Sequence, residues 1–508
     1  MQQYLKRIEE EGMHNELISE IISAHKDEHD RMVKLYERYK ATDKGVPILT
    51  RSILEYDGFD INTMKRIDDK VNNKLNNAFD ADIIDTKIGY FLGHPISYGF
   101  DDKSSPGVVS PTMEDINTFN LRNHVEDLDA ELGKVASICG IGARLLYVDL
   151  EGNERLKNID PWQVVFFGDE ISEPKYSLRY YKQGDTSYAE FYDESYVTIF
   201  KVENGEYKES ERKDHMFKYN PLYGLANNKE LQGDTEKVLA LIDAYDRTLS
   251  DASNEIEQLR LAYLVMKGIT ADDDTEKDLK YGKIIELLGE HDDVKYLTKD
   301  VNDDLIEHHL DRLEKNIIRF AKSVDFSDEA FAGQQSGEAL KHKLRSLESK
   351  CITSERKFVT MLRYQYKVLF SARSIRSVIE PDDYLKMFFV FKRNNPIYLL
   401  EEAQATNALR GNVSEETRLA ALSIVDDVQY EIEQMKKEQE EVFGMYDQNL
   451  GEIGADPPPG AKDTPKKREP AEGEKTCSNC GGTGKVPSKV DGDMVMCPDC
   501  RGDGVESS

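Results

Sequence analysis

Apolar positions repeat along this chain in three long seams. The most regular is Val238, Ile242, Tyr245, Leu249, Ala252, Ile256, Leu259 and Tyr263, in alternating steps of four and three. Such a 3.5-residue repeat gathers one side of a helix into a packing seam. A second seam runs through Ile306, Leu310, Leu313, Ile317, Phe320 and Val324. Between them lies a short, acidic, mixed insert, in which Lys283–Leu288 and Val294–Leu297 predict a helix and a strand. Two rods flanking an insert predict a helical hairpin with the insert at its tip. The third seam comprises Leu340, Leu344, Leu347, Cys351, Phe358, Met361, Val368, Ala372 and Ile375, and Pro381 stops it. It predicts a rod roughly 60 Å long, which needs a large body to pack against. A loop precedes it, where Gly333 and Gly337 turn at low steric cost and Ser336 can cap the helix. Seams of this kind are buried within one chain or between copies, and a coiled-coil dimer is the plainest version of the second case.

The rest of the chain divides by the same patterns. Residues 1–45 predict charged helices, with His25 and His29 on a solvated face. A helix is predicted from Val71–Leu75 onward, ended by Gly93 and Pro95, and another over Asn117–Gly133. From Arg144 to Phe217, short runs rich in Val, Ile, Phe and Tyr alternate with polar turns. They predict a small antiparallel sheet, with Trp162 in its core. Tyr384–Lys392 predicts a buried strand. Residues 398–443 predict two helices, the second capped by Ser414. Leu450–Pro470, around Pro457-Pro458-Pro459, predicts a linker. The fold class is α+β, mainly helical.

Charge narrows the partners. The chain has 508 residues, 67 Lys plus Arg and 97 Asp plus Glu, giving a formal charge of −30. That balance argues against an adhesive nucleic-acid surface but allows a surface along which DNA slides. The long helix is the exception: Leu340–Arg376 carries ten Lys or Arg against two Glu. Pairing of these cations with acidic neighbours is the expected arrangement, and direct phosphate contact is its rival. No secretory signal is readable at the N-terminus and no apolar run reaches membrane-spanning length, so a reducing cytosolic setting is expected.

Four of the six cysteines form two copies of C-x-x-C-x-G-x-G, at Cys477, Cys480 and at Cys497, Cys500. Each C-x-x-C offers two thiolates, and the glycines let backbone amides turn towards the sulfurs. Two knuckles with sixteen residues between them supply four ligands for tetrahedral zinc. The repeats resemble the cysteine-rich module of DnaJ-type chaperones, of which only two repeats are present. Cys139 and Cys351 sit in apolar contexts and are expected as buried free thiols.

The order of several other motifs resembles the portal, or head-to-tail connector, proteins of tailed double-stranded-DNA bacteriophages. The motifs are Asn76-Asn77-Ala78-Phe79 through Gly93-His94-Pro95; Asn227-Asn228 through Gly233-Asp234 leading into Leu241–Tyr245; Ser336-Gly337-Glu338-Ala339-Leu340-Lys341; and Ser414–Thr417 with Val425–Val428. The resemblance implies a ring of about twelve copies at a capsid vertex around a DNA channel. It implies a wing at 1–230 containing the 144–217 sheet, stem helices at 231–266 and 303–325, and a clip at 267–302. A tunnel loop at 326–337 follows, then a long wing helix and strand at 338–397, and a crown at 398–450. A linker at 451–475 and the zinc module at 476–504 are additions to that plan. The resemblance places Phe331, Gly333, Gln334, Gln335, Ser336, Gly337 and Lys341 at the channel. The implied partners are double-stranded DNA, the large subunit of terminase, scaffolding and major capsid proteins, and a head-completion adaptor. The location implied is the virion, after assembly in the host cytoplasm.

Catalysis finds no support in the sequence. There is no G-x-x-x-x-G-K-[ST], and Gly333-Gln334-Gln335-Ser336-Gly337 misses the G-x-S-x-G spacing. Asp272-Asp273-Asp274 reads as solvated surface and His308-His309 as structural. The competing class is a zinc-dependent chaperone or nucleic-acid adaptor that its long helices merely dimerise.

Overall fold

The computed structural model describes residues 2–52, 54–55, 65–66, 72–101, 111–259, 263–267, 293–297, 303–325, 337–375, 380, 382–394, 399–422, 424–425, 428, 431–432, 434–438, 475–487 and 494–501. Two compact units are present, residues 1–401 and 402–508.

The first unit is built on two antiparallel sheets and the long helix. Helices α1 (Gln2–Glu11) and α2 (Asn15–Tyr39) open it, followed, after a two-residue pairing of β1 (Leu54–Glu55) with β2 (Lys65–Arg66), by α3 (Phe79–Phe91). Strand β3 (Ser97–Phe100), α4 (Pro111–Asn123) and α5 (Val125–Cys139) come next. The sheets follow: β4 (Ile141–Val148), β5 (Glu154–Ile159), β6 (Val164–Phe167), β7 (Tyr176–Gln183), β8 (Thr186–Tyr192), β9 (Tyr196–Glu203), β10 (Glu206–Asp214) and β11 (Leu222–Ala226). β4 is central in a three-stranded sheet ordered β11-β4-β5, with Leu146 opposite Leu156 and Leu145 opposite Leu222. The other five make a meander ordered β10-β9-β8-β7-β6. The single small sheet expected over 144–217 is therefore two.

Helix α6 (Leu239–Leu259), a ribbon of β12 (Tyr263–Lys267) with β13 (Asp293–Leu297), α7 (Asp303–Ala321) and α8 (Gly337–Ile375) complete the unit, with β14 (Met387–Val390) paired to β3. The core forms where α8 meets the three-stranded sheet. Leu344, Leu347, Cys351, Phe358, Met361, Val368 and Ala372 are buried there with Phe91, Phe119, Leu132, Leu146 and Tyr223. Seven of the residues that marked the third seam are thus core. Ile8, Leu17, Ile18 and Ile21 of α1 and α2 cover the five-stranded sheet at Phe167, Leu178, Phe191 and Phe200. The unit 402–508 contains the end of α9 (Leu399–Leu409), α10 (Glu415–Ala420) and the hairpin β15 (Lys485–Pro487) with β16 (Met494–Met496). Ser414 caps α10 as expected, its side chain accepting from Thr417 N.

Several expectations change. The Asn117–Gly133 helix is two helices, because His124 adopts φ 50° between α4 and α5. Asn72–Leu75 is extended rather than helical. Trp162 lies in a 3-10 turn and stacks obliquely on Tyr36 at 5.1 Å, half-buried beside α2 rather than in a sheet core. The Tyr384–Lys392 strand is short, and Phe388 and Val390 are exposed, since the two-stranded ribbon with β3 covers one face only. Tyr263 belongs to β12, so the first seam stops at Leu259 as a helix. Phe320 is 57% exposed, and Ala321 fills the buried position beside it. His25 is buried under the five-stranded sheet and hydrogen-bonds Tyr180 Oη at 2.8 Å, while His29 stays partly exposed. Cys139 and Cys351 are buried free thiols, as expected. Segment 326–336, Asp272–Asp274, Lys283–Leu288 and the 451–470 linker lie outside the described residues.

Candidate functional site

Three groups of residues organise the parts of this chain that sequence reading marked as functional. The first is the root of the helix pair. Val238 just before α6, Ile242 of α6, and Ile317 and Ala321 of α7 bury themselves against Ile83 of α3. Further out the pair loses its cover, with Ile256 59% and Leu305 64% exposed. Arg38 of α2, 2% exposed, clamps Asp80 of α3 at 3.0 Å and Asp243 of α6 at 2.8 Å. The extended segment 72–78 then lies along α6 as a strap. Asn73 N donates to Asn254 Oδ1 at 2.7 Å, Leu75 N to Ser250 Oγ at 2.9 Å, and Asn77 N and Nδ2 to Asp246 Oδ1 at 3.1 and 3.0 Å. Asp246, Ser250 and Asn254 recur every four residues, so one helix flank offers them in a row. That polar stripe is the signal that sequence reading missed, because only the apolar seam was followed.

The second group is the loop Asn227–Asp234, one of the motifs singled out above. Asn227 Nδ2 donates to Gln232 O and Asp234 Oδ1 at 3.0 and 3.1 Å, and Asn228 exchanges two hydrogen bonds with the Gln232 backbone. Asp234 N donates to Ser137 O, and Asn227 N to Gly140 O. No larger residue fits the two glycines at this contact. A Cβ on Gly233 would sit 2.1 Å from Ile138 O, and one on Gly140 would sit 2.0 Å from Leu231 O. The Asp234 carboxylate, 5% exposed, receives Lys87 of α3 at 2.8 Å and Lys350 of α8 at 3.2 Å. Burial alone would raise this carboxyl, but the two ammoniums override it and hold it below its ordinary range. A second buried hub lies on α8 further along. Arg144, fully buried, donates to Asp129 Oδ1 at 2.7 Å and to Gln365 Oε1 at 3.0 Å, and Tyr223 Oη donates to the same Gln365 oxygen at 3.0 Å. Of the basic residues on α8, Lys350 pairs with Asp234 and Lys367 with Glu173, whereas Arg345, Arg356 and Arg363 are exposed.

The channel residues expected from the resemblance divide by position. Phe331, Gly333, Gln334, Gln335 and Ser336 lie outside the described residues. Gly337 is the first residue of α8, and Lys341 lies in its first two turns. His308 and His309 are exposed on α7.

The third group is the four-cysteine cluster. The ligand atoms of Cys477, Cys480, Cys497 and Cys500 all lie within 4.8 Å of one another, and every cysteine is 9% exposed or less. Sγ of Cys477 and Cys497 are 3.9 Å apart, and those of Cys480 and Cys500 are 3.6 Å apart. Four thiolates around tetrahedral zinc at ~2.3 Å would stand about 3.8 Å from each other, so the donor set fits such an ion. The hairpin β15–β16 joins the knuckles, and Cys497 N donates to Gly484 O at 2.9 Å. Gly481 and Arg501, each following the second cysteine of its knuckle, take φ 58° and 48°, so the two repeats share one backbone turn. Burial works against the Cys480 thiolate, but amides of Gly484 and Gly482 donate to its sulfur and lower its pKa. The glycines thus do what their spacing predicts.

The family profile described as "Phage portal protein, SPP1 Gp6-like" matches residues 18–443, and the chain belongs to that family. The chain is 24% identical to the portal protein of Bacillus phage SPP1 over 446 residues, covering 82% of this chain and 85% of that protein. It is 23% identical to the portal protein of Clostridium phage phiCD119 over 437 residues, covering 80% of this chain and 91% of that protein. The four cysteines fall outside the family match.

Proposed function

We propose that copies of this chain form a closed ring of about twelve at one vertex of a phage capsid and enclose a channel for double-stranded DNA. The helix pair α6 and α7 is the stem, and residues 267–302 are the clip on which terminase and later the head-completion adaptor dock. The scaffolding and major capsid proteins surround the wing. The loop 326–337, with Phe331, Gly333, Gln334, Gln335, Ser336 and Gly337, faces the DNA, as does Lys341. The role is mechanical rather than catalytic: DNA slides past a largely acidic protein without base readout. The observation that carries this reading is the helix pair, firmly rooted in its own chain yet apolar and bare at Ile256 and Leu305, which the neighbouring copy covers.

The cysteine cluster holds zinc through Cys477, Cys480, Cys497 and Cys500. The ion's contribution is structural, since four thiolates leave no open coordination position. Mass measurement of the intact assembly under native conditions tests the main reading. A particle of about twelve chains is expected, and a stable monomer or dimer at all concentrations would refute it.

A further inference from the structure

Two buried ammoniums at the root of the stem share one buried carboxylate. Lys87 is 1% exposed, and its other partners are the neutral Ser137 Oγ and Asn227 Oδ1. Lys350 is 14% exposed and also donates to Ala321 O, at 2.9 Å. Asp234 therefore balances one of two positive charges, and among the described residues no second acid pairs with either. Buried charge without a partner is costly, so a surplus of this kind calls for an anion.

The space for one is adjacent. A cavity of about 190 Å³ opens beside Lys350 and Asp234, lined by the hydroxyl residues Ser349, Thr353 and Ser354. Its rim carries Lys237, Lys322 and Glu230, again one positive charge more than neutrality, and the exposed ring of Phe320. Lys322 holds φ 54° where α7 ends, a left-handed position that glycine occupies without strain. Placing lysine there keeps a cation at the rim at a conformational cost.

We infer that this cavity is a socket for a carboxylate side chain of a second copy of the chain. The inference rests on the ring reading above. A chain with a net charge of −30 supplies carboxylates on most of its surface, which makes a second copy complementary to this basic pocket. The aromatic rim favours a protein partner too, because Phe320 gains by being covered and a hydrated DNA backbone would not cover it. The socket is incomplete in a single copy and is closed by the partner's acid.

Reversing the rim charges tests this in the full-length chain. Lys237→Glu with Lys322→Glu changes two exposed residues, so the melting temperature of the dissociated chain should hold. Mass photometry across a dilution series should show the ring dissociating at least tenfold more readily, and Lys237→Arg with Lys322→Arg should assemble normally. A map of the wild-type ring should show a neighbour's carboxylate in contact with Lys350 or the adjacent hydroxyls. Rings unaffected by the charge reversal, or a pocket holding solvent, a free ion or a DNA phosphate, would overturn the inference while leaving the ring intact. A wild-type chain that never assembles would remove the ring reading itself, and this occupant with it.

Discussion

Arg38 Nη1 lies 2.8 Å from Asp243 Oδ1, and this pair fastens α2 to α6. The same guanidinium holds Asp80 at the start of α3, so one buried side chain fixes three helices. Arg38→Leu would leave two carboxylates facing each other without their cation. Loss of one partner from a buried ion pair costs about 3–5 kcal/mol, and thermal unfolding of the variant should shift down accordingly. Asp243→Asn should cost less, because that side chain is 28% exposed and solvent replaces part of the interaction.

At Leu75 the strap is held by one side chain. Ser250, itself fully buried, accepts from Leu75 N. Ser250→Ala leaves that amide without its acceptor at a cost of about 1–3 kcal/mol. Amide exchange at Leu75 should accelerate in the variant while exchange in the β4 amides stays slow. Equal acceleration at both sites would mean that the strap is no separate element.

Acid should weaken the packing of α2 on its sheet. Burial pushes the His25 imidazole down to about 4, with Glu28 opposing and His29 adding to the effect. In the unfolded chain this histidine takes up a proton near pH 6.5, while in the fold it stays neutral and bonds Tyr180. Stability from this site is therefore complete above about pH 6.5 and is lost as the pH falls towards 4, by up to about 3 kcal/mol. Unfolding midpoints in denaturant, measured from pH 7 to 4, should fall more steeply for the native chain than for His25→Gln. Parallel curves would exclude His25 as the source.

Chelation should unfold the cysteine module alone. The thiolate set fits zinc, and a hairpin with so few other core residues should need such an ion to fold. A chromophoric chelator should release about one zinc ion per chain, and amide signals of residues 477–500 should collapse to unfolded positions. Cys497→Ser should bind zinc at least tenfold more weakly. Full retention of those signals without metal would refute the prediction.

The legible parts of this fold were those with a strict period. Steps of three, four and seven from Leu344 to Ala372 located the core helix because one face of it is buried along that stretch. The cysteine module was legible because its ligands are close in sequence. The hubs were not, since Lys350 meets Asp234 and Gln365 meets Arg144 across more than a hundred residues, and no local pattern marks such partners. The strap was misread because Asn72–Leu75 has no element pattern of its own; its conformation is imposed by the side chains of α6. Phe320 was misassigned for a related reason: the heptad spacing reaches it, but Ala321 beside it takes the buried place.

The strap along α6 has a geometric consequence. That rod has one side committed to α7 and a second fenced by its own residues 72–78. The third side, with Ala240 and Arg247 exposed, is the open approach. Any body that lies lengthwise against the rod inside Ile256, where the seam is still covered, is thus steered to a single azimuth before a contact forms.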